Sequence, residues 1–136
     1  MAGPSPLEAA SPAPAALASL DLAGYGFDRS VDHAYWGRVA TPTLWLRDGE
    51  PVAYSYRWEG GRIGPLVGRD AESAADALRA ELAGGWSQLS IPGTSRRLVE
   101  AALAAGLRIV GPAGLLLLSD PVVPPTSLAI SSYGLY

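Results

Sequence analysis

The chain has 136 residues, of which 49% are hydrophobic and 17% charged, a composition typical of one globular domain. Its formal net charge is −3 and its ten basic residues, all arginine, are scattered along the chain, which argues against nucleic acid as a partner. The absence of cysteine excludes disulfides, thiolate catalysis and cysteine-bound zinc, and the single histidine excludes a multi-histidine site, so we expect no metal.

Residues 1–20 are rich in alanine, proline and serine, with prolines at positions 4, 6, 12 and 14. Because proline breaks helices, this stretch is predicted to be a flexible leader, followed by a single domain over residues 21–136. The leader lacks the basic start and apolar centre of a signal peptide, and no apolar run reaches the roughly 18 residues that cross a bilayer. These features predict a cytoplasmic protein without a membrane as partner.

A short helix is predicted from about Asp28. The residues that can share one face of it are Phe27, Val31, Ala34 and Tyr35. The single histidine, His33, lies in this helix beside Asp32. A histidine can act as a general base, but a lone one at this place is predicted to be a surface or rim residue.

Two β-prone runs, residues 43–47 and 51–58, flank the turn-forming sequence Asp48-Gly49-Glu50, which predicts a β-hairpin. Side chains alternate between the two faces of a strand. In the second strand one face carries Val52, Tyr54, Tyr56 and Trp58, and the other carries Ala53, Ser55 and Arg57. Gly60-Gly61 then turns the chain into a third strand, residues 62–67, to complete an antiparallel meander.

A helix, a strand and a second helix follow the meander. Asp70 is a typical N-cap for a helix over residues 71–83, and residues 87–91 alternate as a strand. This strand is predicted to run parallel to residues 62–67, because a right-handed crossover joins parallel neighbours. The apolar positions of the first helix are Ala71, Ala74, Ala75, Leu78 and Leu82, and those of the second are Leu98, Val99, Ala102 and Leu103.

The second helix is predicted to begin at Thr94 or Ser95 and to end at Gly106. Residues 107–110 and 115–118 are predicted to be the last two strands. The fold class is therefore α/β (α+β), in the order β-β-β-α-β-α-β-β, with helices that cover a mixed sheet.

This order resembles the GNAT superfamily of acyl-CoA-dependent N-acetyltransferases over about residues 21–119. The local patterns that carry the resemblance are GFDR with a later YW, then RDGEPVAYSY, GRIGPL, IPG and AAGL, which are most similar to the C-terminal domain of tandem GNAT proteins. The resemblance implies acetyl-CoA-dependent acyl transfer to an amine if the domain is active. The alternative is a catalytically degenerate GNAT-like module with a structural, dimerisation or partner-binding role.

In the family, acetyl-CoA lies where two parallel strands separate. The resemblance implies that pantetheine pairs with the backbone of the strand at residues 62–67, and that the pyrophosphate sits on the next loop, at a helix N-terminus. The implied cofactor-binding residues are Leu66, Val67, Gly68 and Arg69. Only Gly68 and Arg69 match the family's phosphate loop, and Asp70 adds a negative charge, so acetyl-CoA binding is predicted to be weak.

The second helix departs from active members, which often begin it with asparagine and carry a tyrosine acid near its end. Those positions correspond to Ser95 and Ala102. Because a methyl group cannot donate a proton, the resemblance does not identify the catalytic residues. The candidates for a general base are Glu50, Glu59, Tyr54 and Tyr56, each of which can equally be structural.

A relative of one half of a two-domain protein must cover the surface that the other half would bury. The C-terminal segment offers apolar residues for this purpose, namely Val122, Val123, Leu128, Ile130, Leu135 and Tyr136. We therefore expect a homodimer, or a companion GNAT domain on another chain. The alternative is that the tail packs on its own sheet.

Overall fold

A five-stranded sheet covered by helices forms the domain in the computed structural model, which describes residues 6–110 and 124–131. The strands are β1 (Glu8–Ala10), β2 (Thr41–Arg47), β3 (Glu50–Trp58), β4 (Arg62–Gly68) and β5 (Leu128–Ala129). The helices are α1 (Pro14–Gly24), α2 (Ser30–Val39), α3 (Ala71–Ala83) and α4 (Arg96–Ala104). The sheet order is β1-β2-β3-β4-β5, and every neighbouring pair is antiparallel.

The predicted meander of three strands is confirmed. Asp48 and Gly49 connect β2 to β3 with positive φ angles of 51° and 80°, as a two-residue type I′ hairpin requires. The predicted alternation in β3 is also observed. Tyr54 and Tyr56 pack against α1 and α2 on one face, while Ala53 packs against α3 on the other.

Helix α3 spans the residues that were predicted, and its N-cap is Asp70, whose Oδ1 accepts from the Ser73 amide at 2.8 Å. Helix α4 ends before Gly106, which has a φ of 94°. Leu103 was predicted in the buried stripe of α4, but its side chain is 49% exposed and Ala101 faces the core instead. Helix α3 packs closely against the sheet through small side chains, and α4 packs on α3.

The prediction of a flexible leader is wrong for residues 8–20. Strand β1 pairs with β2, with Ala9 opposite Trp45, and α1 begins at Pro14. Proline at the first helical position has no amide that needs a partner, so Pro14 starts the helix instead of breaking it. Leu17 and Leu20 are buried against the sheet, and the ordered domain therefore begins before residue 21.

The apolar face identified for α2 points away from the core. Val31 is 85% exposed and Tyr35 is 40% exposed, whereas Trp36 is fully buried. The polar side chain of His33 points toward the sheet, because its imidazole forms hydrogen bonds with buried groups there. Hydrophobic spacing alone cannot predict this orientation.

Residues 87–91 form no regular strand, although their direction is the predicted one. A single parallel bridge joins Arg62 to Gln88, and the Ile63 amide donates to the Gln88 carbonyl at 2.7 Å. The two stretches then separate. Residues 107–110, predicted as a strand, are irregular, and residues 115–118 lie outside the described part of the chain. None of the helices described is long and apolar enough to cross a membrane.

Candidate functional sites

The first candidate site is the gap between β4 and residues 87–91, called here the fork. The four predicted cofactor-binding residues lie along its β4 side and just beyond it. Strand β5 fills the fork, with Ala129 opposite Leu66 and Leu128 opposite Val67. The Gly68 amide donates to the Ser127 carbonyl at 2.9 Å. The backbone edge of β4 that would meet pantetheine is therefore already paired with the chain's own C-terminal segment, residues 125–131.

The C-terminal segment is also bound from the opposite side of the fork. The Ile130 amide donates to the Ser90 carbonyl at 2.9 Å. The Thr94 hydroxyl donates to the Pro125 carbonyl at 2.5 Å, and the Ser95 hydroxyl donates to the same oxygen at 3.2 Å. Ser95, at the position of the family's asparagine, therefore anchors a strand of its own chain.

This strand is part of the core, which agrees for residues 125–131 with the alternative that the tail packs on its own sheet. Leu128 is fully buried and Ile130 is 7% exposed, both among residues that pack with α1 and α2. Of the six residues predicted for a dimer surface, these two are buried within their own sheet. The other four, at positions 122, 123, 135 and 136, lie outside the described residues.

Close packing at Gly64 leaves no room between β4 and the C-terminal segment. A methyl group on Gly64 would lie 2.5 Å from the Ile130 carbonyl oxygen and 3.3 Å from Ser131 Cα. The Arg62 guanidinium, which lies over the Trp58 ring, donates to the Ser131 carbonyl. A pantetheine arm therefore has no space at this position while the segment is in place.

The loop predicted to hold phosphates is similarly closed. A methyl group on Gly68 would lie 2.5 Å from the Ala74 amide nitrogen, so the loop packs directly on the first turn of α3. The Arg69 amide donates to the Val52 carbonyl at 2.7 Å. Partial burial alone would raise the pKa of Asp70, but hydrogen bonds from Ser73 and the nearby Arg69 outweigh it and lower that pKa. An ionised carboxylate therefore stands at the helix N-terminus, where it would repel a phosphate group.

The second candidate site lies on the opposite face of the sheet, between α1, α2 and β3. His33 Nε2 is 2.8 Å from Asp21 Oδ2, and His33 Nδ1 is 2.8 Å from the Tyr56 hydroxyl. The Tyr54 hydroxyl donates to Asp21 Oδ1 at 2.7 Å. Asp21 is fully buried and the His33 side chain is 10% exposed. We call the first three groups the Asp21–His33–Tyr56 chain.

The direction of the hydrogen bonds in this chain follows from Asp21. Its carboxylate faces three nitrogen or hydroxyl groups, since the Arg29 amide also donates to it at 3.3 Å. With the carboxylate ionised and the imidazole neutral, His33 Nε2 donates to Asp21 and Nδ1 accepts the hydrogen of Tyr56. A ligand could then pass a proton to Tyr56 as Tyr56 passes its own to His33, with Asp21 stabilising the imidazolium.

Both tyrosines of this site stay protonated near neutral pH. Burial, with a further contribution from Asp21, raises the pKa of Tyr56 to about 12. Burial raises the pKa of Tyr54 well above its usual value, and neighbouring Tyr25 and Asp21 add to the effect. The phenol groups of Tyr54 and Tyr56 are therefore neutral in this site.

Part of this site was predicted from the sequence. Tyr54 and Tyr56 were candidates for a general base, and the structure joins both to Asp21. Glu50 and Glu59 are exposed at the two ends of β3, away from these groups. His33 was predicted to be a surface or rim residue; it is not a surface residue, because both ring nitrogens have buried partners, but it lines a pocket. Asp21 was missed, although its place one residue after Leu20, in the apolar run LASLDLAG, indicates a polar group on a buried helix.

Comparison with solved structures identifies the fold. A crystal structure described as "a putative acetyltransferase" from Pyrococcus horikoshii matches 96% of the chain with a TM-score of 0.67 and 20% identity. The protein TTHA1254 from Thermus thermophilus matches 85% of the chain with a TM-score of 0.54 and 18% identity. The chain spans 46% of the length of the Pyrococcus protein and 99% of TTHA1254. At these identities the likeness shows the fold alone, which is GNAT-like, as predicted.

No protein-family model matches the chain, and no curated protein matches it.

Proposed function

We propose that this chain is a GNAT-like domain without acetyl transfer of its own, which acts as the structural and partner-binding half of a larger assembly. The observation that carries the proposal is the C-terminal segment in the fork. That segment occupies the backbone positions of Leu66, Val67 and Gly68 that would otherwise be offered to pantetheine. Ala102, at the position of the family's tyrosine acid, adds a second missing element.

The alternative is an active N-acetyltransferase that moves an acetyl group from acetyl-CoA to an amine. It would require the C-terminal segment to leave the fork, which exposes Leu128 and breaks the bonds of Gly68 and Ile130. These losses would reduce the affinity for acetyl-CoA, since binding must supply the free energy of opening.

Acetyl-CoA is therefore expected to bind in the range of tens of micromolar or more weakly, about 6 kcal/mol or less. Isothermal titration calorimetry of the full chain measures this directly. A dissociation constant in the nanomolar range would contradict the proposal, because the fork would then be open in solution.

A companion role is supported by two observations. The chain spans less than half of the Pyrococcus protein, as expected of one domain in a tandem pair. Helix α2 also presents an apolar outer face at intervals of four residues, which lie on one side of a helix. That face consists of Val31, Tyr35 and Val39, which are 85%, 40% and 47% exposed, and Phe27, three residues before the helix, extends it with 43% exposure. We propose that it packs against a second GNAT-like domain, and in the isolated chain against a second copy.

Val31→Asp is expected to convert this homodimer to a monomer, because it places a charge in the middle of an apolar interface. The new carboxylate lies in the first turn of α2, where the helix dipole tolerates it, so the fold should persist. Light scattering during size-exclusion chromatography gives the mass. Leu103→Asp, on the exposed side of α4, is the matched control and should leave the dimer intact. A monomeric wild-type protein at about 100 µM would contradict the proposal.

A further inference from the structure

A pocket opens at the end of the Asp21–His33–Tyr56 chain, on the side of the sheet away from α3. Its volume is about 320 Å³, within the range of small-molecule sites. Its lining includes the apolar residues Pro12, Leu17 and Pro42, together with Ser30 and the hydrogen-bonded pair His33 and Tyr56. The pocket therefore combines an apolar body with one polar end, which is the usual composition of a ligand site.

The polar end offers hydrogen-bond acceptors. Tyr56 directs its hydrogen to His33, so its oxygen keeps lone pairs for a further partner. The Ser30 hydroxyl donates to Asp28 Oδ1 at 2.6 Å, so its oxygen also remains an acceptor. A ligand that fits this end must therefore bring a donor.

The charges around the pocket disfavour a cationic donor. Asp21 is fully buried and does not line the pocket, so its carboxylate cannot contact a ligand cation there. Asp28 is exposed to water, where its attraction is screened. An ammonium group on the apolar wall would thus lose its hydration without a buried counter-ion.

We infer that this pocket binds a small, uncharged and mainly apolar molecule that carries a hydroxyl group, an alcohol or a phenol. The hydroxyl donates to Tyr56, and the hydrocarbon part lies against Pro12, Leu17 and Pro42. The inference is independent of the fork, since none of the residues that line this pocket belongs to β4 or to the C-terminal segment.

Three probes that have the same six-membered carbon ring but different polar groups show which polar group the pocket prefers. Cyclohexanol, cyclohexanone and cyclohexylamine are titrated separately into the 15N-labelled full chain, and amide shifts are followed by NMR. Cyclohexanol is expected to bind most tightly and to shift the amides of His33, Gly37 and Tyr56. Equal or tighter binding of the ketone or the amine would overturn the inference, as would the absence of shifts at these amides with cyclohexanol.

Two variants show whether the pocket and its hydroxyl are responsible. Tyr56→Phe should weaken cyclohexanol about five-fold, the effect of one ordinary hydrogen bond, without changing cyclohexanone. Tyr35→Phe, on the exposed face of α2, is the control and should change neither. Unchanged cyclohexanol affinity in Tyr56→Phe would contradict the assigned contact.

Gly37→Leu provides an independent check in case Tyr56→Phe fails to fold. Gly37 lines the pocket, and a side chain there meets no atom within 4 Å, so leucine can extend into the space without a clash. Leucine also favours the helix more than glycine does. This variant should fold and lose the shifts caused by cyclohexanol, whereas retained shifts would place the probe elsewhere and overturn the inference.

Discussion

Replacing Glu81 by alanine is expected to lower the free energy of unfolding by about 3–5 kcal/mol, the cost of breaking a buried ion pair from one side. Glu81 is fully buried on α3. Its carboxylate accepts from the Ser55 hydroxyl and from Arg57 Nε, both at 2.7 Å, and Ser55 in turn accepts from Trp45 Nε1 at 2.8 Å. Its removal leaves Ser55 and Arg57 without their carboxylate partner and opens a cavity between α3 and the sheet.

Glu72→Ala is the matched control for this effect. Glu72 lies on the same helix and binds Arg97 at 2.6 Å, but both side chains are exposed. Water screens exposed pairs, so this variant should unfold at nearly the same denaturant concentration as the wild type. A Glu81→Ala protein as stable as Glu72→Ala would show that the buried network does not hold α3 to the sheet.

A disulfide between positions 67 and 128 is expected to form on oxidation and to raise stability by about 4 kcal/mol over the reduced form. Val67 and Leu128 are directly opposite in β4 and β5, and Gly68 and Ser127 beside them form a hydrogen-bonded pair. The 67–128 pair is therefore the closer, non-hydrogen-bonded kind, with a Cα separation that a disulfide can span. The native chain has no cysteine, so the two introduced thiols have only each other as intramolecular partners.

Thiol titration and unfolding of the Val67→Cys/Leu128→Cys protein, before and after oxidation, measure both effects. Each single-cysteine variant serves as a control for the loss of the original side chain. Thiols that stay free in the folded double variant would show that the C-terminal segment does not lie beside β4 in solution.

Local sequence was sufficient for the central elements of the fold. Asp70 at the start of α3, the apolar spacing within that helix and Gly84 at its end are all contained in fifteen neighbouring residues. The same holds for the hairpin at Asp48-Gly49, whose turn chemistry is encoded by the turn itself. Such elements can be predicted because each part of the pattern favours the same structure.

The elements that were missed depend on contacts between distant residues. Ser127 contacts Gly68 only after the chain has folded, so the proline-rich local sequence did not indicate a buried strand. Asp21 meets Tyr54 across 33 positions, and this contact rather than hydrophobic spacing explains why His33 faces inward. Four-residue spacing did identify an apolar face of α2, yet it could not show that this face is exposed.

The most direct test of a closed fork is a calorimetric titration of acetyl-CoA into the oxidised Val67→Cys/Leu128→Cys protein, with the reduced protein alongside. The disulfide holds Leu128 against β4, so the C-terminal segment cannot leave the fork. With a closed fork, acetyl-CoA should not bind the oxidised protein up to about 1 mM, and any weak binding of the reduced protein should disappear on oxidation. Binding to the oxidised protein at micromolar concentrations would contradict this expectation, because acetyl-CoA would then occupy a site that the segment does not close.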